Sequence, residues 1–194
     1  LEFCNKLSEK HGLKPVYDLS QKEEGILRIY QSNGKIEYPN VADFRKTEGF
    51  RLPTEVEWEW FACGGEVAMQ DGTFNYKYSG SNNVYEVAWN GNNSETRTHD
   101  VGMKKPNQLG LYDCSGNIWE WCYDTSGAGY IPEKTPYRYD ESVSGNRLKG
   151  GSFYSDIEYC SVFNCSIDEL IHEGWNGSEW VQFCLTSFRI VRTI

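Results

Sequence analysis

The sequence has no long apolar run, no C-x-x-C cysteine pair, no internal repeat and only three histidines. Without a stretch of about 20 apolar residues, no helical membrane span is expected. The absence of paired C-x-x-C spacing removes the usual zinc modules, and His11, His99 and His172 lie too far apart for a histidine-centred metal or catalytic motif. They are read as surface or structural imidazoles. Basic residues are also in short supply: nineteen Lys and Arg against twenty-eight Asp and Glu give a net charge of −9. The basic residues form no stripe, so an electrostatic nucleic-acid binder, which must neutralise phosphates, is excluded. With no repeat or low-complexity tract, the 194 residues suit one domain, 1–194, large enough for a sizeable core.

What the chain does have is aromatic surface. Aromatics make up 15% of it, with seven tryptophans, while the mean hydropathy is −0.64. Such a chain folds around aromatic clusters and polar networks more than around aliphatic layers. The seven cysteines (Cys4, Cys63, Cys114, Cys122, Cys160, Cys165 and Cys184) are an odd number, which leaves at least one unpaired within a monomer.

The pattern predicts a helix over residues 1–10, stopped by Gly12. The chain opens inside this helix without an initiator methionine. Residues 16–19 and 26–30 read as short extended segments. A helix starts near Pro53-Thr54-Glu55-Val56-Glu57, with Thr54 and Glu57 spaced as a reciprocal capping box. Val56, Trp60 and Phe61 are expected on its buried face, and Gly64-Gly65 at its end. From Asp71 onward, Gly, Asn, Ser and Asp recur every few residues. This predicts long ordered loops with short strands near 149–153 and 188–192. Loops of that length in a compact domain are usually functional or pinned by a metal.

The most informative run is Gly110-Leu111-Tyr112-Asp113-Cys114-Ser115-Gly116-Asn117-Ile118-Trp119-Glu120-Trp121. It follows neither a helical nor a strand period, yet it carries too much apolar surface for a solvated loop. A buried irregular segment needs partners for its backbone polar groups, from side chains or from a bound cation. Asp113 and Glu120 offer carboxylates, and Gly116 and Ile118 offer carbonyls between them.

This run resembles the Gly-Leu-Tyr-Asp-x-x-Gly-Asn-x-Trp-Glu-Trp signature of the formylglycine-generating-enzyme-like (sulfatase-modifying factor) family. Three further blocks agree in order. Gly49-Phe50-Arg51-Leu52-Pro53-Thr54-Glu55-Val56-Glu57-Trp58-Glu59 is similar to the family's Arg-Leu-Pro-Thr-Glu block. Val101-Gly102 with Pro106-Asn107 match its lead-in. Lys149-Gly150-Gly151-Ser152-Phe153 and Phe188-Arg189-Ile190 resemble its close. The resemblance covers nearly the whole chain, and because family members generally carry a strand region before the first helix, it implies a missing N-terminal part of the domain. It implies an α+β fold, the formylglycine-generating-enzyme-like variant of the C-type lectin fold, with little regular secondary structure and long ordered loops.

The resemblance further implies a structural calcium held by Asp113, Gly116, Ile118 and Glu120. Calcium takes six to eight oxygen ligands in flexible geometry, and this loop supplies four. The competing reading has Asp113 cap a turn and Glu120 pair with an Arg or Lys. The Glu-Pro-Asn, Gln-Pro-Asp and Trp-Asn-Asp triplets of sugar-binding lectins are absent, so carbohydrate recognition has only fold analogy behind it.

Family enzymes oxidise a substrate cysteine to formylglycine with oxygen, at copper held by two cysteines five positions apart. The register set by Gly150-Gly151-Ser152 puts these positions at Ser155 and Cys160. A serine hydroxyl is a poor ligand for soft Cu(I), so copper is not expected, and Cys160 is a weak catalytic candidate. The neighbours also depart, with Asp156 for a histidine, Ser161 for an arginine and Ser187 for a glycine. Cys160 and Cys165 repeat the five-residue spacing, but only by breaking the register.

Two functions follow from the resemblance. The first is a non-catalytic module that binds an unknown protein or peptide ligand. Its candidate residues are Trp119, Ser152, Tyr154, Ser155, Asp156, Glu158, Tyr159, Phe163, Trp175 and Trp180, where rigid aromatics alternate with adaptable polar groups. The competing reading has these aromatics simply pack the C-terminal half. Variable proteins of diversity-generating retroelements share this fold and diversify the corresponding segment. The second function is the copper oxidase. The family implies a bacterial cell surface or periplasm.

Overall fold

The computed structural model describes residues 1–21, 27–39, 42–125, 145–167 and 185–193, together with the backbone of two further strands at 172–175 and 180–183. The fold is α+β, as expected, with four α-helices and eleven short strands among the described residues. No helix among them is long and apolar enough to cross a membrane.

The chain divides into two compact units. The first comprises Leu1–Thr54, Tyr123–Ser144 and Arg189–Ile194. Its helix α1 (Glu2–Lys10) buries Cys4 and Ser8. The Ser8 hydroxyl donates to the Cys4 carbonyl and accepts from the Phe50 N–H, both at 2.8 Å, which ties the helix to a strand 42 residues away. Asn5 clamps Tyr17 at both backbone groups. Strands β1 (Tyr17–Asp18), β2 (Arg28–Tyr30) and β3 (Ile36–Glu37) form an antiparallel sheet. Strand β4 (Phe50–Arg51) pairs with the C-terminal β11 (Val191–Arg192). The core gathers Val16, Tyr17, Ile29, Phe44 and Tyr123, with Phe44 edge-on to Tyr123 at 4.6 Å.

The second unit comprises Glu55–Cys122 and Gly145–Phe188. Helix α2 (Glu55–Ala62) starts directly after Thr54, as the sequence predicts, but its buried face differs. Trp58 and Ala62 are buried, one helical turn apart, while Val56 and Trp60 are exposed. The cause is polar: the Trp58 indole N–H donates to the Glu120 carboxylate at 2.8 Å, so this ring, not Trp60, goes inward with its donor satisfied. Trp60 lies instead against Phe74, 5.5 Å away. Gly64-Gly65 interrupts the helix without ending helical structure, because α3 (Gly65–Asp71) begins at once. A short α4 (Val84–Val87) is capped by the Asn83 side chain.

The sheet of this unit runs β10-β5-β6-β7, built from β10 (Thr186–Phe188), β5 (Trp119–Thr125), β6 (Asn146–Lys149) and β7 (Cys165–Ile167). Trp119 starts a strand that the irregular reading of 110–121 missed. Its pairing with β10 is parallel, from Trp119 opposite Thr186 to Trp121 opposite Phe188. Local pattern could not reveal a partner about 67 positions away. The expected strand near 149–153 ends at Lys149, where Gly150-Gly151 turns the chain away. Strands β8 (His172–Trp175) and β9 (Trp180–Phe183) pair antiparallel, with Trp175 opposite Trp180. The side chains of those two tryptophans lie outside the described residues.

Candidate binding pocket

The turn at Gly150-Gly151 launches a loop that folds on itself through serine. The Ser152 N–H donates to the Ser155 Oγ at 3.0 Å, the Ser155 N–H to the Ser152 carbonyl at 3.1 Å, and the Tyr154 N–H to the Ser152 Oγ at 3.3 Å. The two hydroxyls stand 2.9 Å apart, one donating to the other. That bond uses one of their two protons and leaves one O–H able to serve a ligand. A helical turn follows, with Tyr159 N–H on the Asp156 carbonyl and Cys160 N–H on that of Ile157.

This loop and the sheet enclose a pocket of about 330 Å³, lined by Trp119, Ser152, Tyr154, Ser155, Asp156, Tyr159, Ser166 and Leu185. Trp119 and Leu185 are each 3% exposed and pack with Leu148 and Phe153, so they form a rigid apolar floor. Tyr159 meets Trp119 edge to face at 6.1 Å, and Tyr154 and Tyr159 both present exposed rings. Six of the sequence candidates are thus brought together. Glu158 and Phe163 are exposed and do not line the pocket. Ser166 and Leu185 were not singled out. Ser166 reaches the pocket because β7 places it opposite Leu148, and Leu185 because it accepts the Trp119 N–H at 2.8 Å. Neither pairing leaves a local signal in the sequence.

Cys160 does not line the pocket. It is fully buried in a cluster with Tyr78, Val84, Val87 and Ala88. Burial, reinforced by the Glu158 carboxylate, pushes its thiol up to about 12. The thiol donates to the Asp156 carbonyl, 3.9 Å away. Cys165 has other company, its sulfur accepting from the Arg147 guanidinium at 2.7 Å.

The 110–118 loop satisfies its own backbone largely through protein groups. Gly116 N–H donates to the Gly150 carbonyl and Asn117 N–H to the Trp89 carbonyl, both at 2.7 Å. The Asn117 side chain engages both backbone groups of His99. Trp89 is held in turn by stacking on His99 at 3.7 Å, with the Lys104 ammonium 3.9 Å from its ring centre. The Ser115 hydroxyl donates to the Cys160 carbonyl, which links this loop to the pocket loop.

The four oxygen-bearing residues of the loop have different surroundings. Asp113 sits in a left-handed conformation and accepts the Gly102 N–H through Oδ2 at 2.8 Å. Its Oδ1, however, is buried and has no hydrogen-bond partner among the described residues. A buried anionic oxygen without a donor is costly, and a cation is the natural partner for it. Glu120 is buried and accepts from the Trp58 indole N–H. The Gly116 carbonyl accepts the Ile118 N–H at 2.9 Å and keeps a second lone pair. Hard oxygen donors with one unmet carboxylate oxygen fit calcium by chemistry. Among the described residues no group of three or more His, Cys, Asp or Glu could hold a metal, so carbonyls would have to complete any shell.

Comparison with known proteins follows from this geometry. A family model described as the sulfatase-modifying factor enzyme 1-like domain matches residues 1–193. The chain is 37% identical over 179 residues to the chaperone protein LppX of Paenibacillus barcinonensis, covering 84% of this chain and 58% of that protein. It is 33% identical over 130 residues to the formylglycine-generating enzyme of Thermomonospora curvata, covering 59% and 42%. The chain therefore spans little more than half the length of these curated relatives, or less. Among solved structures, Treponema denticola variable protein 1 superposes with a TM-score of 0.66 at 35% identity, over 97% of this chain and 66% of that one. CarF does so with a TM-score of 0.64 at 27% identity, over 99% and 63%.

Proposed function

Since this chain belongs to the formylglycine-generating-enzyme-like, sulfatase-modifying factor family, we propose that it is a binding module that keeps the family scaffold and has lost the oxidase chemistry. The pocket floored by Trp119 receives part of a protein or peptide partner. The observation that carries this reading is the pair of positions where the family's resemblance puts copper thiolates. Ser155 presents a hydroxyl already bonded to Ser152, and Cys160 is buried in an apolar cluster and does not line the pocket. Soft Cu(I) is held by two thiolates, and a serine hydroxyl does not replace one of them. The donor set therefore does not fit copper, and no oxidation step is derived through it.

Two relatives support protein recognition. One is named a chaperone, a class that acts on other proteins, and one a variable protein. A diversity-generating-retroelement role for this chain would show as a near-copy of the DNA encoding 151–189, differing mainly at adenines. The copper reading has its own support in the matched formylglycine-generating enzymes. Anaerobic titration with Cu(I) against a chromogenic chelator decides between them. The expected result is no stoichiometric competition, unchanged in Cys160→Ser. Tight one-to-one binding abolished by that substitution would overturn the module.

Calcium enters the same proposal as a pin for the 110–118 loop, with Asp113 the leading ligand because its Oδ1 lacks a partner among the described residues. Glu120, Gly116 and Ile118 would complete the site. An ion that binds only the folded state adds about 2.7 kcal/mol at a hundredfold excess over its Kd. Chelation is expected to lower the melting temperature, and Asp113→Ala to abolish that shift. Glu120→Ala should destabilise with or without calcium, because it strands the Trp58 N–H. Superimposable melts in chelator and in calcium would remove the pin.

A further inference from the structure

We infer that the pocket takes a cationic side chain of the partner, specifically an arginine guanidinium, with Asp156 as its counter-ion. This rests on the pocket being a recognition site. Among the described residues lining it, Asp156 is the one that carries a charge, and no described Lys, Arg or His stands there to neutralise it. Its side chain makes no hydrogen bond or ion pair among the described residues, while its carbonyl is used within the loop. The basic residues of the adjoining strand are committed elsewhere. Lys149 is held by Glu59 at 2.7 Å, and Arg147 donates to the Cys165 sulfur.

The other walls suit a guanidinium better than an ammonium. A guanidinium is planar, weakly hydrated and carries five donors in fixed directions, so it can stack on an aromatic face while bonding oxygens at its edge. The exposed ring of Tyr159, braced edge-on against buried Trp119, offers such a face at little conformational cost. Ser152, Ser155 and Ser166 line the pocket with hydroxyl oxygens as further acceptors. A compact ammonium would leave part of this aromatic and hydroxyl surface unused. The chain's net charge of −9 favours approach of a basic partner.

The test uses three short peptides identical except for a central arginine, lysine or citrulline, titrated into the isotopically labelled protein and followed by NMR. Citrulline keeps the shape and removes the charge. The arginine peptide is expected to shift the Trp119 indole and the Ser155 amide. Its affinity should exceed that of the citrulline peptide at least tenfold and that of the lysine peptide about threefold. Asp156→Asn should weaken it at least tenfold, while Glu158→Gln, the same charge change two residues away outside the pocket, should change it less than twofold. Equal losses in both variants would mean diffuse charge attraction and would sink the proposal. Citrulline binding as well as arginine at the same residues would overturn it but leave the pocket a recognition site. Lysine matching arginine would overturn the guanidinium assignment. If no peptide perturbs Trp119 or Ser155, the arginine proposal is overturned, and if Cu(I) then also binds stoichiometrically, the recognition reading falls with it.

Discussion

Gly116→Ala is expected to cost at least about 3 kcal/mol, a large part of the stability of an ordinary domain. A Cβ at this position would collide with the Trp89 carbonyl oxygen and stand 2.8 Å from the Trp89 nitrogen. Both are backbone atoms, so no side-chain rotation can relieve the overlap. Retreat of the loop would break the 2.7 Å bonds from Gly116 N–H to Gly150 and from Asn117 N–H to Trp89. The left-handed φ of 74° adds about 1 kcal/mol for any residue with a Cβ. Gly72→Ala separates the two causes. That glycine has a similar φ of 78° and nothing within 4 Å of its would-be Cβ, so only the smaller conformational cost is expected. Denaturant melts of the two variants check this. Equal losses would show that the close approach to Trp89 does not matter. At about 2–4 °C per kcal/mol for a chain of this size, Gly116→Ala should lower the midpoint by on the order of 10 °C or prevent folding.

Lys149→Met is expected to destabilise by about 2–4 kcal/mol. The lysine is 0% exposed, its ammonium 2.7 Å from Glu59 and 3.9 Å from Glu55, with the Trp58 ring centre 5.6 Å away. Breaking a buried pair from one side strands the remaining charge, typically at about 3–5 kcal/mol. Glu59 is 36% exposed, so water recovers part of that cost and the lower figure applies. Adding Glu59→Leu to Lys149→Met should restore more than half of the loss, because the stranded carboxylate is then gone. A double variant no better than the single one would show that the loss comes from packing of the lysine stem, not from charge. Lys149 stands in the family's Gly-Gly-Ser block. The Lys149–Glu59 pair thus holds β6 to α2.

Much of the fold was legible because its signals are local. Helix α1 and its stop, the start of α2 after Thr54, and the loop-rich second half all follow from spacing, glycine and capping residues within a few positions. The buried face of α2 was not legible. Val56, Trp60 and Phe61 satisfy the helical period as well as Trp58 and Ala62 do. The choice falls to Glu120, 62 positions away, which alone satisfies an inward indole. Strand β5 was missed for the same reason, since its parallel partner β10 is the last strand of the unit.

The pocket shows both regimes side by side. Trp119, Ser152, Tyr154, Ser155, Asp156 and Tyr159 were named from the sequence because they flank two recognisable blocks. The serine standing where a thiol is needed is a matter of residue identity, and the sequence by itself determines it. It also determines the family, the acidic surface and the glycine-punctuated loops. Only the tertiary structure decides which of those residues share a cavity, that Cys160 lies in an apolar cluster outside it, and that Ser166 and Leu185 complete its walls. The physical reason is range. Ligand chemistry belongs to a side chain wherever it sits, whereas burial and convergence come from hydrogen bonds and packing between segments dozens of residues apart.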